Sequence, residues 1–423
     1  MLIELSVANF RSFRETQTFS LVKGRGEEMA ETNTFEAGAV NPFRLLRSAA
    51  VYGPNASGKS NLLLALSTME RIVLQSATSM QRGDKLPVTP FRLSPETRDQ
   101  PSEFEVMFLV DGVRYQYGFA ATADRVHEEW LLAYPKGRAQ RWFSRAWDAE
   151  AQHYDWELGS NLTGEKQLWQ KSTRGNALFL STAVQLNSEQ LQPVFDWFKS
   201  TLRVSNVGGW GPSFSALQCE SSHKREIMDF LRAADLNIDD VLVEAKPFDR
   251  EELPDDMPES LREVIAGDLE GKKVINIRTV RKGADGESVV FDFEEESDGT
   301  QQLFSFAGPW LDSLANGYVL FIDELHDSLH PHLVQFLVQL FHDPETNPKS
   351  AQLIFTTHET SILNQEVFRR DQIWFCEKNN SQATELFPLT DFSPRKGREN
   401  LEAAYLSGRY GALPFVRSLK RTG

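Results

Sequence analysis

Residues 53–60 read Gly-Pro-Asn-Ala-Ser-Gly-Lys-Ser and satisfy G-x-x-x-x-G-K-[ST], the pattern of a phosphate-binding loop. Gly53 and Gly58 let the backbone curl so that successive N–H groups turn toward phosphate oxygens. The expected contact set is Gly53, Pro54, Asn55, Ala56, Ser57, Gly58, Lys59, Ser60 and Asn61. Lys59 has the length to reach β- and γ-phosphates, and the Ser60 hydroxyl can sit on Mg²⁺. Two carboxylates, Asp323 and Glu324, close the apolar run Tyr318–Ile322. Asp323 would hold Mg²⁺, directly or through water, and Glu324 would orient and deprotonate an attacking water. His358 closes the next apolar run, Leu353–Thr357. As a neutral imidazole it could hydrogen-bond both the γ-phosphate and that water.

Positioning such groups takes strands that end in loops. Ala49–Tyr52 reads as a buried strand entering the glycine loop, and Asn61–Leu66 opens a helix leaving it, so helix N-terminal charge adds to the site. A glycine-rich turn with an incidental lysine would carry the same eight residues; the order of the elements that follow favours phosphate chemistry. Tyr318–Glu324 reads as a buried strand with its acids at the carboxyl tip, where α/β sheets place ligands. Residues 1–22 suggest two short strands around Asn9–Phe13, and residues 23–43 suggest polar, irregular chain. Phe104–Val110 and Val113–Phe119 flank Asp111-Gly112, a hairpin signal, so the early sheet is expected to be antiparallel and to flank the site. Helical patterning covers 165–235, and a second hairpin covers 272–293.

The chain has 423 residues, 40% of them hydrophobic, with 29 Phe, enough for a sizeable core in two domains or one elaborated one. Its net charge of −15 disfavours non-specific adhesion to nucleic acid. Short basic clusters at Arg395–Arg398 and Arg417–Arg421 leave a local DNA contact open beside the plainer reading of solvated faces. Likewise Asp249–Pro258 reads as a solvated acidic loop or an interaction segment. Two cysteines, Cys219 and Cys376, build no disulfide framework or zinc spacing and fit a reducing, cytoplasmic location. Met1–Val7 alternates like a strand rather than a signal peptide, and no run approaches a membrane span. His326 and His330 have the i, i+4 spacing of zinc ligands, but Pro331 interrupts the run and the segment directly follows Glu324. A place for Asp327 and Ser328 at a subunit seam is the preferred expectation. Trp197, Trp210 and Phe214 read as core or, less simply, as contact anchors.

Taken in order, these motifs resemble those of ABC-class ATPases in the RecF, SMC and OLD branch, over nearly the whole chain. Asn9-Phe10-Arg11-Ser12-Phe13 resembles that branch's N-F-[RK]-[SC]-[FH] opening, which implies Arg11 near the nucleotide. Glu324–Pro331 resembles the E-x-x-x-x-L-H-P segment of OLD-like ATPases. Asp371–Phe375 and Tyr405–Pro414 resemble the close of AbiLi/RloA-type ATPases, small prokaryotic proteins linked to anti-phage defence. Ser297-Asp298-Gly299-Thr300-Gln301 read alone is a helix start; the resemblance implies a signature segment, with Ser297, Gly299 and Gln301 closing over ATP bound to another subunit. It departs from the L-S-G-G-Q of transporters and so argues against a transporter motor. The family's Q-loop glutamine has two candidates, Gln100 and Gln116. No obvious Toprim pattern is read after the ATPase motifs, unlike OLD nucleases, and no long coiled-coil pattern is read between them, unlike SMC proteins.

The resemblance implies an α/β fold: an ABC-type P-loop ATPase with a mixed sheet, an antiparallel β subdomain and an inserted helical subdomain. The expected divisions are 1–160, an N-terminal lobe with the phosphate loop; 161–270, a mainly helical insertion; and 271–423, a C-terminal lobe. ATP and Mg²⁺ are the implied ligands. Implied partners are a second copy, head-to-tail around ATP, and a separately encoded effector such as a nuclease. The expected role is a slow ATPase acting as a switch in an anti-phage defence complex. The alternatives are a RecF-like repair ATPase and an ATP-bound scaffold that does not hydrolyse.

Overall fold

The computed structural model of the chain describes residues 1–38, 40, 42–205, 209–221, 223–249, 257–269, 271, 273–395, 397 and 399–414. Arg250–Asp256 of the acidic stretch, Lys396 and Arg398 of the first basic cluster, and the whole second cluster at 417–421 lie outside the described residues. Two compact units form: Met1–Gly209 with Ser313–Asp327 and Val334–Gly423, and Trp210–Asp312 with Ser328–Leu333. The anticipated divisions at 160/161 and 270/271 fall inside these units.

Along the chain, β1 (Leu2–Ala8) and β2 (Gln17–Ser20) flank the Asn9–Phe13 turn. A helical turn, α1 (Ala30–Asn33), leads to β3 (Thr34–Ala37) and β4 (Phe43–Leu46), which pair antiparallel. Residues 23–43 are thus less irregular than their polarity suggests, because Phe35 and Ala37 bury one face of a short strand beside Ile3 and Leu45. Then come β5 (Ser48–Tyr52), the glycine loop and α2 (Lys59–Gln75), followed by β6 (Ser102–Val110), β7 (Val113–Ala121), β8 (Val126–Tyr134), β9 (Gln140–Asp148) and β10 (His153–Leu158). Helices α3 (Lys166–Ser172), α4 (Phe179–Gln185) and α5 (Gln192–Asp196) precede β11 (Leu202–Val204). The second unit is built from α6 (Ser213–Glu220), α7 (Lys224–Ala233), β12 (Asp240–Pro247), α8 (Glu259–Leu269), β13 (Lys273–Lys282), β14 (Ser288–Asp292) and the start of α9 (Asp298–Asn316). The chain continues through β15 (Val319–Ile322), α10 (Pro331–His342), β16 (Gln352–Thr356), β17 (Ile373–Lys378), β18 (Thr384–Pro388) and α11 (Leu401–Leu406).

The first unit holds two large sheets. One is antiparallel throughout, in the order β10-β9-β8-β7-β6-β1-β2. The expected hairpin is there, turning at Asp111 and Gly112, which both take positive φ as a tight two-residue turn requires. The other sheet is mixed, in the order β11-β15-β16-β5-β17-β18, with only the β17–β18 pair antiparallel. Every residue of β5, β15 and β16 is buried, as continuous apolar strands of a parallel sheet must be. Helix α2 buries Leu62, Leu63, Leu66, Met69, Ile72 and Val73. These join one cluster with Leu5, Val7, Phe104 and Val106 of the antiparallel sheet and Val51, Phe321 and Ile354 of the mixed one. The packed helix therefore fixes the loop at its own N-terminus relative to both sheets.

The helical stretch is shared between the units. Trp169, Phe179, Val194 and Trp197 belong to the first unit's core, and Trp197 stacks on Phe108 with ring centroids 4.3 Å apart. Trp197 is thus core. In the second unit α6 to α8 accompany the antiparallel sheet β12-β13-β14, with Trp210 edge-on to Phe306 and Phe214 partly exposed. No helix among the described residues is long and apolar enough to cross a membrane.

Candidate functional site

Parallel pairing aligns four strand ends. Val51 pairs with Thr356, Tyr52 with Phe375, and Ile322 with Phe355. The glycine loop after β5, Asp323 and Glu324 after β15, His358 beyond β16 and Lys378 at the end of β17 therefore meet at one edge of the sheet.

The loop is held as well as curled. Gly53, Ala56 and Gly58 take positive φ. A Cβ on Gly53 would strike the Cys376 carbonyl, and one on Gly58 would strike the Thr384 hydroxyl. The glycines are needed for close approach to β17 and β18, in addition to the tight turn foreseen from sequence. Thr384 Oγ1 donates to Ser57 O at 2.6 Å and lies 2.8 Å from Ser12 Oγ; Asn61 Nδ2 donates to the same Ser12 oxygen at 2.7 Å. Helix α2 begins at Lys59 with Gly58 as its cap, two residues earlier than Asn61.

Lys59 is buried, and its ammonium donates to Gly53 O at 2.8 Å and Pro54 O at 3.1 Å. Burial lowers its pKa below the ordinary lysine value. Its third neighbour is His358 Nε2, at 3.3 Å. Burial, then the charges of Lys59 and His326, hold the His358 pKa below the ordinary histidine value, against Glu324, which acts the other way. Lys59 can only donate, so a His358 ring in contact with it would accept through Nε2. Glu324 Oε1 lies 3.5 Å from that nitrogen.

Thr356 sets the carboxylates. Its hydroxyl donates to Asp323 Oδ1 at 2.6 Å and accepts from Glu324 N–H at 2.8 Å. Asp323 is buried, and its own N–H donates to Ser205 Oγ at 3.3 Å. Glu324 has φ +54°, a left-handed conformation that a glutamate adopts only when its surroundings impose it. Asp327 N–H donates to Glu324 O at 2.9 Å, while the Asp327 residue is exposed.

A cavity of about 520 Å³ lies over the loop, lined by Asn55–Asn61, Glu324 and Lys378. A neighbouring cavity of about 290 Å³ is lined by Arg11, Ser12, Asn61, residues 89–93, Lys378 and Gln382. Arg11, also at positive φ, donates its N–H to Thr89 O at 2.8 Å. Asn61 and Lys378 border both cavities. Neither Q-loop candidate lines them: Gln116 accepts from the Tyr134 hydroxyl at 2.9 Å, and the Gln100 carbonyl accepts from Asn9 Nδ2 at 3.0 Å. In the second unit, Ser297 Oγ accepts from Thr300 N–H at 3.3 Å and Gln301 Nε2 donates to Glu296 O at 2.8 Å, so this segment caps α9. A Cβ on Gly299 would press on the Ser328 carbonyl.

Ser60 and Asp323 offer a hydroxyl and a carboxylate, hard oxygen donors of the kind Mg²⁺ takes alongside substrate phosphates. Among the described residues no three His, Cys, Asp or Glu side chains gather as a metal site. Helix α10 begins at Pro331, so His326 and His330 precede it and do not share a helix face. Ser12 as a tether, Thr356, Thr384 and Lys378 are not among the residues expected from sequence. Only Ser12 carried a signal, through its place in the Asn9–Phe13 motif.

The family model described as "AAA domain, putative AbiEii toxin, Type IV TA system" matches residues 48–364. No curated protein matches the chain. Among solved structures, an SMC head bound to the C-terminal winged-helix domain of ScpA is similar, with TM-score 0.42 and 14% identity, over 92% of this chain and 97% of that one. The SMC head domain from Thermotoga maritima gives TM-score 0.37 and 14% identity, over 92% and 98%. The SMC head from Pyrococcus furiosus, with an extended coiled coil and bound to the C-terminal domain of ScpA, gives 0.40 and 12%, over 92% and 96%.

Proposed function

The chain belongs to the AAA-domain family described by the putative AbiEii toxin, and on that premise we propose that it is an ABC-type ATPase that binds and slowly hydrolyses ATP with Mg²⁺. One observation carries this reading: the buried Lys59 ammonium rests on the carbonyls of its own loop, beside Glu324 and His358, at the edge where four strands end. A buried cation held only by neutral groups is poised to exchange them for phosphate oxygens.

In this reading Lys59 and the N–H groups of residues 55–61 bind the phosphates. Ser60 and Asp323 would hold Mg²⁺, which would supply positive charge to offset that of the phosphates. Glu324 takes a proton from water as the oxygen bonds to the γ-phosphorus and the bridging bond breaks, leaving ADP and phosphate. His358 orients that water, and Arg11 lies toward the nucleoside end. Ser297, Gly299 and Gln301 of a second copy complete the site head-to-tail, with Asp327 at the seam. The assembly acts as an AbiLi/RloA-like switch or scaffold in anti-phage defence, governing a separately encoded effector such as a nuclease. The family's description, with its type IV TA system, is compatible with such a role.

The test is Lys59→Ala in the full chain. Loss of measurable ATP binding with folding retained is the expected result; tight binding without Lys59 would overturn the site. Mass spectrometry of proteins captured from the native host by Glu324→Gln protein with ATP tests the switch. A stoichiometric neighbouring protein supports it, and recovery of DNA with repair factors contradicts it.

A further inference from the structure

Lys378 stands directly opposite Thr384 in the β17–β18 pair. Opposed residues of an antiparallel pair project from the same face. The Thr384 side chain faces the glycine loop, since its hydroxyl donates to Ser57 O at 2.6 Å. Lys378 faces the same way and borders the loop cavity together with Ser60 and Glu324. The preceding residue, Glu377, is already engaged, accepting from Ala412 N–H at 2.6 Å. Lys378 is exposed, and its ammonium makes no hydrogen bond or ion pair among the described residues. Lys59, by contrast, is engaged by two carbonyls and an imidazole. Lys378 also borders the Arg11 cavity, which shares Asn61 with the loop cavity.

We propose that Lys378 is a second polyphosphate-binding lysine, placed at the junction of the two cavities to bind a nucleoside di- or triphosphate as it passes from the glycine loop toward Arg11. The inference rests on the ATP reading above. Chemistry favours it: a triphosphate with one Mg²⁺ and one lysine remains anionic, and a free ammonium on a hairpin tip is the available counter-charge. The hairpin that carries Lys378 also tethers the loop through Thr384, so phosphate bound by Lys378 would stiffen both.

The test is equilibrium binding of fluorescent ATP and ADP analogues to wild type, Lys378→Ala, Lys378→Arg and the exposed control Lys136→Ala, over a range of salt. A charge-assisted contact predicts a Kd about tenfold higher in Lys378→Ala, with a shallower salt dependence. The arginine variant should recover most of the affinity, and Lys136→Ala should match wild type. Melting temperatures without nucleotide should coincide, which separates binding from folding. Wild-type affinity and salt dependence in Lys378→Ala would overturn this inference alone. Failure of wild type itself to bind nucleotide would overturn the ATP reading and this inference with it.

Discussion

The Thr356 hydroxyl donates to Asp323 Oδ1 at 2.6 Å, which joins the strand that leads to His358 to the strand that carries both carboxylates. Because the same oxygen accepts Glu324 N–H, one buried hydroxyl sets both acids. Thr356→Val keeps the shape and removes these bonds. It should destabilise the protein by about 1–3 kcal/mol, the cost of unpaired buried polar groups. Mg²⁺-dependent ATP affinity should also fall. Chemical denaturation and nucleotide titration check the two effects, and wild-type values in both would refute the role given to Thr356.

Gly58 and Gly83 make a controlled pair. Both take positive φ, but a Cβ on Gly58 would strike the Thr384 hydroxyl, whereas Gly83 has open space. Gly83→Ala should show only backbone strain, on the order of 1–2 kcal/mol, and bind ATP normally. Gly58→Ala should lose ATP binding as well. Equal binding by the two variants would show that close approach to β18 is not what the loop needs.

Stability should fall in acid through His342. This ring is fully buried, with Nε2 2.7 Å from Ser48 Oγ and accepting from Gln372 Nε2 at 3.2 Å. Burial, with Arg47 adding to it, pulls its pKa down from 6.5 to about 3. Between those values the unfolded chain binds a proton that the folded chain does not. Its contribution is therefore complete above about pH 6.5 and is lost as pH falls toward 3, at up to about 1.4 kcal/mol per unit. Urea unfolding at pH 7, 6 and 5 measures it, and His342→Gln should flatten the slope. His326 and His358, also lowered by burial, leave a slope of the same sign.

The parts of the site that were legible in sequence are those written in contiguous residues. Gly53–Ser60 and Asp323-Glu324 each follow an apolar strand, and both strands formed. His358 needed only the next strand, although β16 stops at Thr356 and leaves the histidine beyond its tip. The tethers were illegible because they join residues remote in the chain. Thr384 reaches Ser57 and Ser12 only after β18 has paired in register with β17, and nothing in the polar run Asn379–Thr384 announces a ligand. Lys378 depends on that same register. Polarity misled at 23–43, where the four-residue β3 pairs with β4 and packs Phe35 and Ala37 against Ile3 and Leu45. Trp197 was ambiguous until its stack on Phe108 placed it in the core.

The most direct test of the central claim is ATP binding and turnover by Glu324→Gln beside wild type, with Mg²⁺. Glu324 faces the loop cavity and lies 3.5 Å from His358, where a water approaching the γ-phosphate would need a base. Unchanged ATP affinity is expected, with hydrolysis slowed by about 10²–10³, the usual effect of removing one such group. Turnover at the wild-type rate would contradict it.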